Sequence, residues 1–256
     1  MKYELLGPLR LIDGDTSVFI SAQKVETLLA ALLIRADQVV TADQLMAEIW
    51  GERLPRRATA GLHVCISELR KILARHGRGE DRVVTRSPGY LLDSGGDTID
   101  YRTFLDLTDL GRKQMRAGCW EEAGEHFERG LALWRGPVLG DMGVGPVVQS
   151  FAVRLNEVRM ECVEMLVDAQ LQLGRHRELV GLLFTLTTEN PLRETFHRQL
   201  MLALYRSERQ ADALKVYQNA RRTLIDELGL EPCASLQALH KAILRADVRA
   251  LDLCPV

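Results

Sequence analysis

Nine basic residues crowd into positions 53–90: Arg53, Arg56, Arg57, Arg70, Lys71, Arg75, Arg78, Arg82 and Arg86. Glu68, Glu80 and Asp81 are the acids that oppose them, so this stretch carries +6 in a chain of 256 residues whose net charge is −2. Residues 1–52 and 91–256 carry −4 each. Guanidinium and ammonium groups at that density supply counter-charge to an anionic partner, with nucleic acid the first candidate. A basic cluster alone fits a solvated helix face equally well. The residues between the charges have to decide.

They fall on a helical period from about Arg57 to Arg75. At about 100° per residue, Leu62, Ile66, Leu69 and Leu73 share one face. The opposite face holds Ala60, His63, Val64, Ser67, Lys71 and Ala74, with Arg70 at its flank. A face that is small, polar and basic can lie close to base edges in a major groove. The expectation is that Ala60, His63, Val64 and Ser67 face bases while Arg56, Arg57, Arg70 and Lys71 meet phosphates. Arg86 is placed to enter an adjacent minor groove, where arginine is favoured. Tyr90 is assigned to packing. For Arg75, Arg78 and Arg82 simple solubility stays open as an alternative, and for His63 a solvent-facing ring without a base contact.

The elements that must position these side chains are legible on either side. Tyr3–Leu6, Leu9–Ile12 and Val18–Ile20 read as short strands around Gly7-Pro8 and Asp13-Gly14-Asp15. A helix follows with Ser21 as its expected N-cap and Val25, Leu28, Leu29, Leu32 and Leu33 on one face. Thr41 and Gln44 fit a capping box that opens a second helix, which Gly51 ends. After the basic helix, Val83–Arg86 and Tyr90–Leu92 bracket Ser87-Pro88-Gly89 as a hairpin. Strands, three helices and a terminal hairpin describe a winged helix-turn-helix: the second helix braces, the third reads the groove, the hairpin is the wing.

From Asp97 onward the pattern is helical, at roughly 100–117, 119–135, 146–173, 176–189, 191–206, 208–228 and 234–247. Ala123-x-x-x-Phe127-x-x-Gly130, Val180-x-x-x-Phe184-x-x-Thr187 and Ala213-x-x-x-Tyr217-x-x-Ala220 repeat one spacing. Phe184 and Tyr217 are 33 apart, close to the tetratricopeptide period, and such repeats stack into concave interaction surfaces. Plain helix-pair packing, without a groove function, remains the alternative. The expected fold is thus an α+β winged helix over 1–95 and an all-α, tetratricopeptide-like domain over 96–256.

Other classes are harder to support. The longest apolar run, Leu28–Ile34, is too short for a membrane span of about 18 residues or more, and Met1-Lys2-Tyr3-Glu4 lacks a signal-peptide shape. The five cysteines are scattered without a C-x-x-C pair, so no disulfide framework or zinc site is indicated, and a cytosolic, reduced protein is expected. No P-loop, H-E-x-x-H or G-x-S-x-G occurs, and the six histidines show no ligand spacing. Gly140-x-x-Gly143-x-Gly145 follows no strand pattern. Neither catalytic residue, metal nor cofactor is expected. The remaining rival is a repeat-based adaptor carrying the winged segment incidentally, against which the +6 segment argues.

Four stretches carry a family resemblance: Leu45–Pro55 (LMAEIWGERLP), Leu62–Leu73 (LHVCISELRKIL) with Val84–Leu92 (VTRSPGYLL), Leu131–Met142 (LALWRGPVLGDM) and Leu204–Pro232 (LYRSERQADALKVYQNARRTLIDELGLEP). They resemble the SARP-type antibiotic regulatory proteins of actinomycetes, over nearly the whole chain, with no added ATPase or sensor domain expected. The resemblance implies an OmpR-like winged helix followed by a bacterial transcriptional activator domain. It implies a pathway-specific activator of a secondary-metabolite gene cluster that binds direct repeats beside the promoter −35 region and recruits RNA polymerase holoenzyme, sigma factor included. Direct repeats about one helical turn apart call for head-to-tail protomers on double-stranded DNA, in the cytoplasm at the nucleoid and without a membrane partner. Glu68 departs from the basic residue common in that family, and Gly61 is expected to loosen the helix start or let its backbone approach DNA.

Overall fold

The computed structural model describes residues 1–75, 82–142 and 145–246. Compactness groups them into two units that do not follow chain order: residues 1–109 with 129–160, and residues 110–128 with 161–256.

In the first unit, β1 (Lys2–Glu4), β2 (Arg10–Asp13) and β3 (Thr16–Val18) form an antiparallel meander. A later strand, β7 (Thr98–Ile99), joins it parallel to β1, giving the order β3-β2-β1-β7. Helix α1 (Gln23–Ile34) is central: Leu28 through Leu33 are all fully buried. Ser21 does not cap it. The N-cap is Ala22, which has no side-chain acceptor, so the first amides are met without the expected hydroxyl. A second sheet has the order β4-β6-β5, from β4 (Val40–Thr41), β5 (Val83–Arg86) and β6 (Gly89–Leu92). Helix α2 (Ala42–Trp50) opens on the expected capping box: the Gln44 amide donates to Thr41 Oγ1 at 3.2 Å, and Thr41 N–H to Gln44 Oε1 at 3.1 Å. Helix α3 (Ala58–Arg75) buries Leu62, Ile66, Leu69 and Leu73 as the wheel requires.

Residues 129–160 belong to this unit because they are bonded into it. The Leu139 and Arg135 amides donate to Leu5 and Leu6 carbonyls at 2.9 and 2.7 Å. The Arg135 guanidinium donates to Pro8 O at 3.1 Å and pairs with Glu4. Gly140 has a positive φ of 63°, and a Cβ there would lie 3.2 Å from Pro8 Cα, which explains the glycine. Helix α4 (Asp100–Arg116) begins with Asp100, whose buried carboxylate accepts the Leu5 and Leu6 amides at 2.8–2.9 Å.

The second unit is built from helices. It contains the end of α4, most of α5 (Trp120–Leu131), the second half of α6 (Pro146–Gln172), and α7 (His176–Glu189), α8 (Glu194–Arg206), α9 (Gln210–Leu228) and α10 (Ala234–Arg245). Phe127 is fully buried against Gly111, where a Cβ would come within 2.4 Å of its ring. Of the three repeated aromatics, Phe127 and Tyr217 are buried, but Phe184 is 42% exposed. The inward stripe of α7 is Leu179, Val180, Leu183, Leu186 and Thr187, and Phe184 lies off it. Gly229 closes α9 in the left-handed conformation, its N–H donating to Ile225 O. Among the described residues no helix is long and apolar enough to cross a membrane.

Candidate nucleic-acid interface

The third helix presents the row that its sequence foretells. Ala60, His63, Val64, Ser67 and Lys71 are exposed on α3, and Arg56 and Arg57 are exposed just before it. Val64 is 65% exposed, an apolar side chain left in water on this face. Such a methyl pair suits a thymine C5-methyl group. Arg86 is exposed at the end of β5, next to the Ser87-Pro88 turn. Among the described residues none of Arg56, Arg57, Lys71 and Arg86 takes part in an ion pair. Between α3 and the wing lies a cavity of about 530 Å³, lined by His63, Ile66, Ser67, Arg70, Lys71 and Tyr90. Its donors are cationic or neutral and no acid lines it, so it can take a phosphate or sugar edge.

Arg70 departs from the expectation of a phosphate contact. Its Nε and Nη2 donate to Val83 O at 2.9 and 2.6 Å, and Nη2 also reaches Thr85 Oγ1 at 2.9 Å. The planar fork of the guanidinium thus fastens α3 to β5 and sets where the wing stands. Arg82 is also committed internally, donating to Asp93 O at 2.8 Å and pairing with Asp97 at 3.6 Å. Arg75 is exposed, and Arg78 lies outside the described residues. Tyr90 is buried, as its packing role requires.

The wing itself is seated by backbone and by one acid. Val40 pairs with Tyr90 and Thr41 with Gly89, and a Cβ on Gly89 would lie 1.9 Å from Val40 O. Only glycine lets the hairpin come this close. Asp37 accepts from Ser94 N–H and Oγ–H at 2.8 and 2.7 Å and pairs with Arg102 at 3.2 Å. Burial pushes the Asp37 carboxyl up, but the Ser94 and Arg102 donors outweigh it and hold the group below its ordinary value. Gly61 also has a packing reason. A Cβ there would sit 3.0 Å from the Trp50 ring, so the glycine lets α3 lie close against α2.

Three acids that hold the first unit together were not singled out from the sequence: Asp37, Asp100 and Glu48. Glu48 left a signal, because it occupies an inward position of α2 between Leu45 and Ile49 and is fully buried. Among the described residues no group of three or more His, Cys, Asp or Glu is placed to hold a metal ion. Gly140 lies within a single helical turn, Val138–Asp141, and no strand directly precedes it, unlike the glycines of a strand–loop–helix nucleotide cradle.

Two family models match. Residues 19–92 match "Transcriptional regulatory protein, C terminal", and residues 99–244 match "Bacterial transcriptional activator domain". The chain is 36% identical to regulatory protein DnrI of Streptomyces peucetius over 96% of this chain and 93% of that protein. It is 40% identical to regulatory protein AfsR of Streptomyces coelicolor over 99% of this chain, but spans only 25% of that longer protein. A solved structure of Mycobacterium tuberculosis EmbR, in complex with a low-affinity phosphopeptide, superposes with a TM-score of 0.92 at 34% identity, covering 99% of this chain and 67% of that one.

Proposed function

We propose, since the chain belongs to the SARP-type family of transcriptional activators, that it switches on a secondary-metabolite gene cluster of the antibiotic type. In this reading it binds direct repeats beside the promoter −35 region, two protomers head to tail, and recruits RNA polymerase holoenzyme, sigma factor included. It works in the cytoplasm, at the nucleoid. DNA binding is assigned to the motif within 1–95. Ala60, His63, Val64 and Ser67 read base edges, Arg56, Arg57 and Lys71 neutralise phosphates, and Arg86 enters the neighbouring minor groove. Arg70 contributes by holding the wing.

One observation carries this reading: a row of exposed, unpaired cations beside small side chains on a helix that a wing flanks. Footprinting on promoter DNA from the gene's own neighbourhood, with and without holoenzyme, tests it. The expected result is protection of direct repeats about one turn, 10–11 bp, apart, strengthened by holoenzyme. No sequence-dependent protection at any salt concentration would contradict it.

A further inference from the structure

Glu48 is a fully buried carboxylate on the bracing helix of the DNA-binding motif. Burying that group without partners is costly. Its partners come from a stretch about a hundred residues away. Oε2 accepts the Val147 amide at 2.9 Å and Oε1 the Val148 amide at 2.8 Å. These amides belong to the first turn of α6, where N–H groups have no acceptor within the helix. Pro146 opens that helix and lacks an N–H to satisfy. A helix N-terminus behind a glycine-rich loop is a ready seat for an anion. Here the chain's own carboxylate sits in it. Gly145 shows how tightly: a Cβ there would lie 2.3 Å from Glu48 Cδ and 2.5 Å from its Cα.

The same last turn of α2 meets the reading helix. Trp50, two residues beyond Glu48, lies so close to Gly61 of α3 that a Cβ there would come 3.0 Å from its ring. The last turn of α2 therefore connects the α6 amides to the seat of α3. We propose that Glu48 is a positioning residue for DNA binding: it fixes α2, and with it α3, on amides supplied by residues 147 and 148, so that this cap and DNA occupancy are energetically coupled. The coupling rests on the DNA-binding reading above. The segment at the start of α6 then acts as part of the DNA-binding unit, and a change at either end is felt at the other by linkage.

The test uses the full chain and a duplex carrying its footprinted site. Amide hydrogen exchange is followed at Val147 and Val148, and affinity is measured over a range of salt. Glu48→Gln keeps the shape but turns an NH2 group toward one amide N–H. It should speed exchange at both valines and weaken DNA binding about tenfold. The salt slope should not move, because no phosphate contact is lost. Gly145→Ala pushes on the same carboxylate from the α6 side and should give a similar loss, with the double variant little worse than either. DNA should slow exchange at Val147 and Val148 in the unaltered protein. Faster exchange in Glu48→Gln with unchanged affinity overturns the proposal, as does exchange at the two valines that ignores DNA. Should Glu48→Gln fail to fold, Gly145→Ala decides by the same readouts. If the unaltered protein binds no duplex, the DNA reading fails and the coupling with it. The exchange difference between Glu48→Gln and the unaltered protein still shows whether the cap exists.

Discussion

The unpaired arginines beside α3 and six arginines of the second unit are the same side chain put to opposite uses. Arg56, Arg57 and Arg86, with Lys71, stand exposed and outside any ion pair among the described residues. In the second unit Arg112 pairs with Glu161, Arg175 with Glu121, Arg193 with Glu164, Arg198 with Asp168, Arg209 with Asp212 and Arg221 with Glu231. A guanidinium with a carboxylate beside it has its counter-charge and serves the scaffold. One without a partner raises the local potential and draws an anion from outside. Within the motif, Arg70 and Arg82 fall on the scaffold side of this division, which the charge count alone hides.

The largest effect should come from stripping the unpaired row. Arg56→Ala, Arg57→Ala and Lys71→Ala together should cost about two to three orders of magnitude in DNA affinity near 0.1 M salt. The thermal midpoint should stay put. If the midpoint falls as well, the row is part of the scaffold and the contrast fails.

Next comes Asp168, where pairing does not prevail. It sits among Gln199 at 2.5 Å and Arg198 at 3.7 Å. Burial pushes its carboxyl up, the Gln199 and Arg198 donors pull it down, and Glu164 adds to the rise, leaving it at about 6. The folded chain therefore holds this proton more tightly than the unfolded chain does. The resulting stability is full below about pH 4 and is lost as pH rises through about 6, on the order of 3 kcal/mol in all. Asp168→Asn should flatten that slope and raise stability at pH 7, as urea titrations at several pH values would show.

Arg193→Ala should cost about 2 kcal/mol of stability, since it strips the partner from half-buried Glu164 and uncovers Phe196. DNA affinity should stay within about twofold, because the loss lies in the other unit. Smallest is Arg209→Ala. Its pair with Asp212 is exposed on both sides, and chemical denaturation should register about 0.5 kcal/mol or less. A large effect there would mean that exposed pairs hold the helices, which the rest of the unit argues against.

The sequence made α3 legible because its two faces differ in kind: Leu62, Ile66, Leu69 and Leu73 against His63, Ser67 and Lys71. The capping box of α2 was visible for the same reason, as it is local chemistry three residues long. The helix bounds from 100 onward were close, since amphipathic period survives without tertiary knowledge. What depended on distant partners was hidden. β4 and β7 are two residues each and exist only through pairing with β6 and β1. Gly61 answers to Trp50, and Gly145 to Glu48. Phe184 keeps the repeat spacing yet misses the buried stripe, because periodicity names a face without saying what covers it. Arg70 sits on the correct flank of the wheel, but nothing local reveals a carbonyl at Val83 that takes its donors.

The most direct test of the division between free and paired cations is the slope of log affinity against log salt. It would be measured in parallel on the unaltered protein, on the Arg56, Arg57 and Lys71 alanine variant, and on one lacking Arg175, Arg209 and Arg221. The first variant should lose about three from the magnitude of the slope, and the second should lose nothing. Equal slopes for all three proteins would contradict the account.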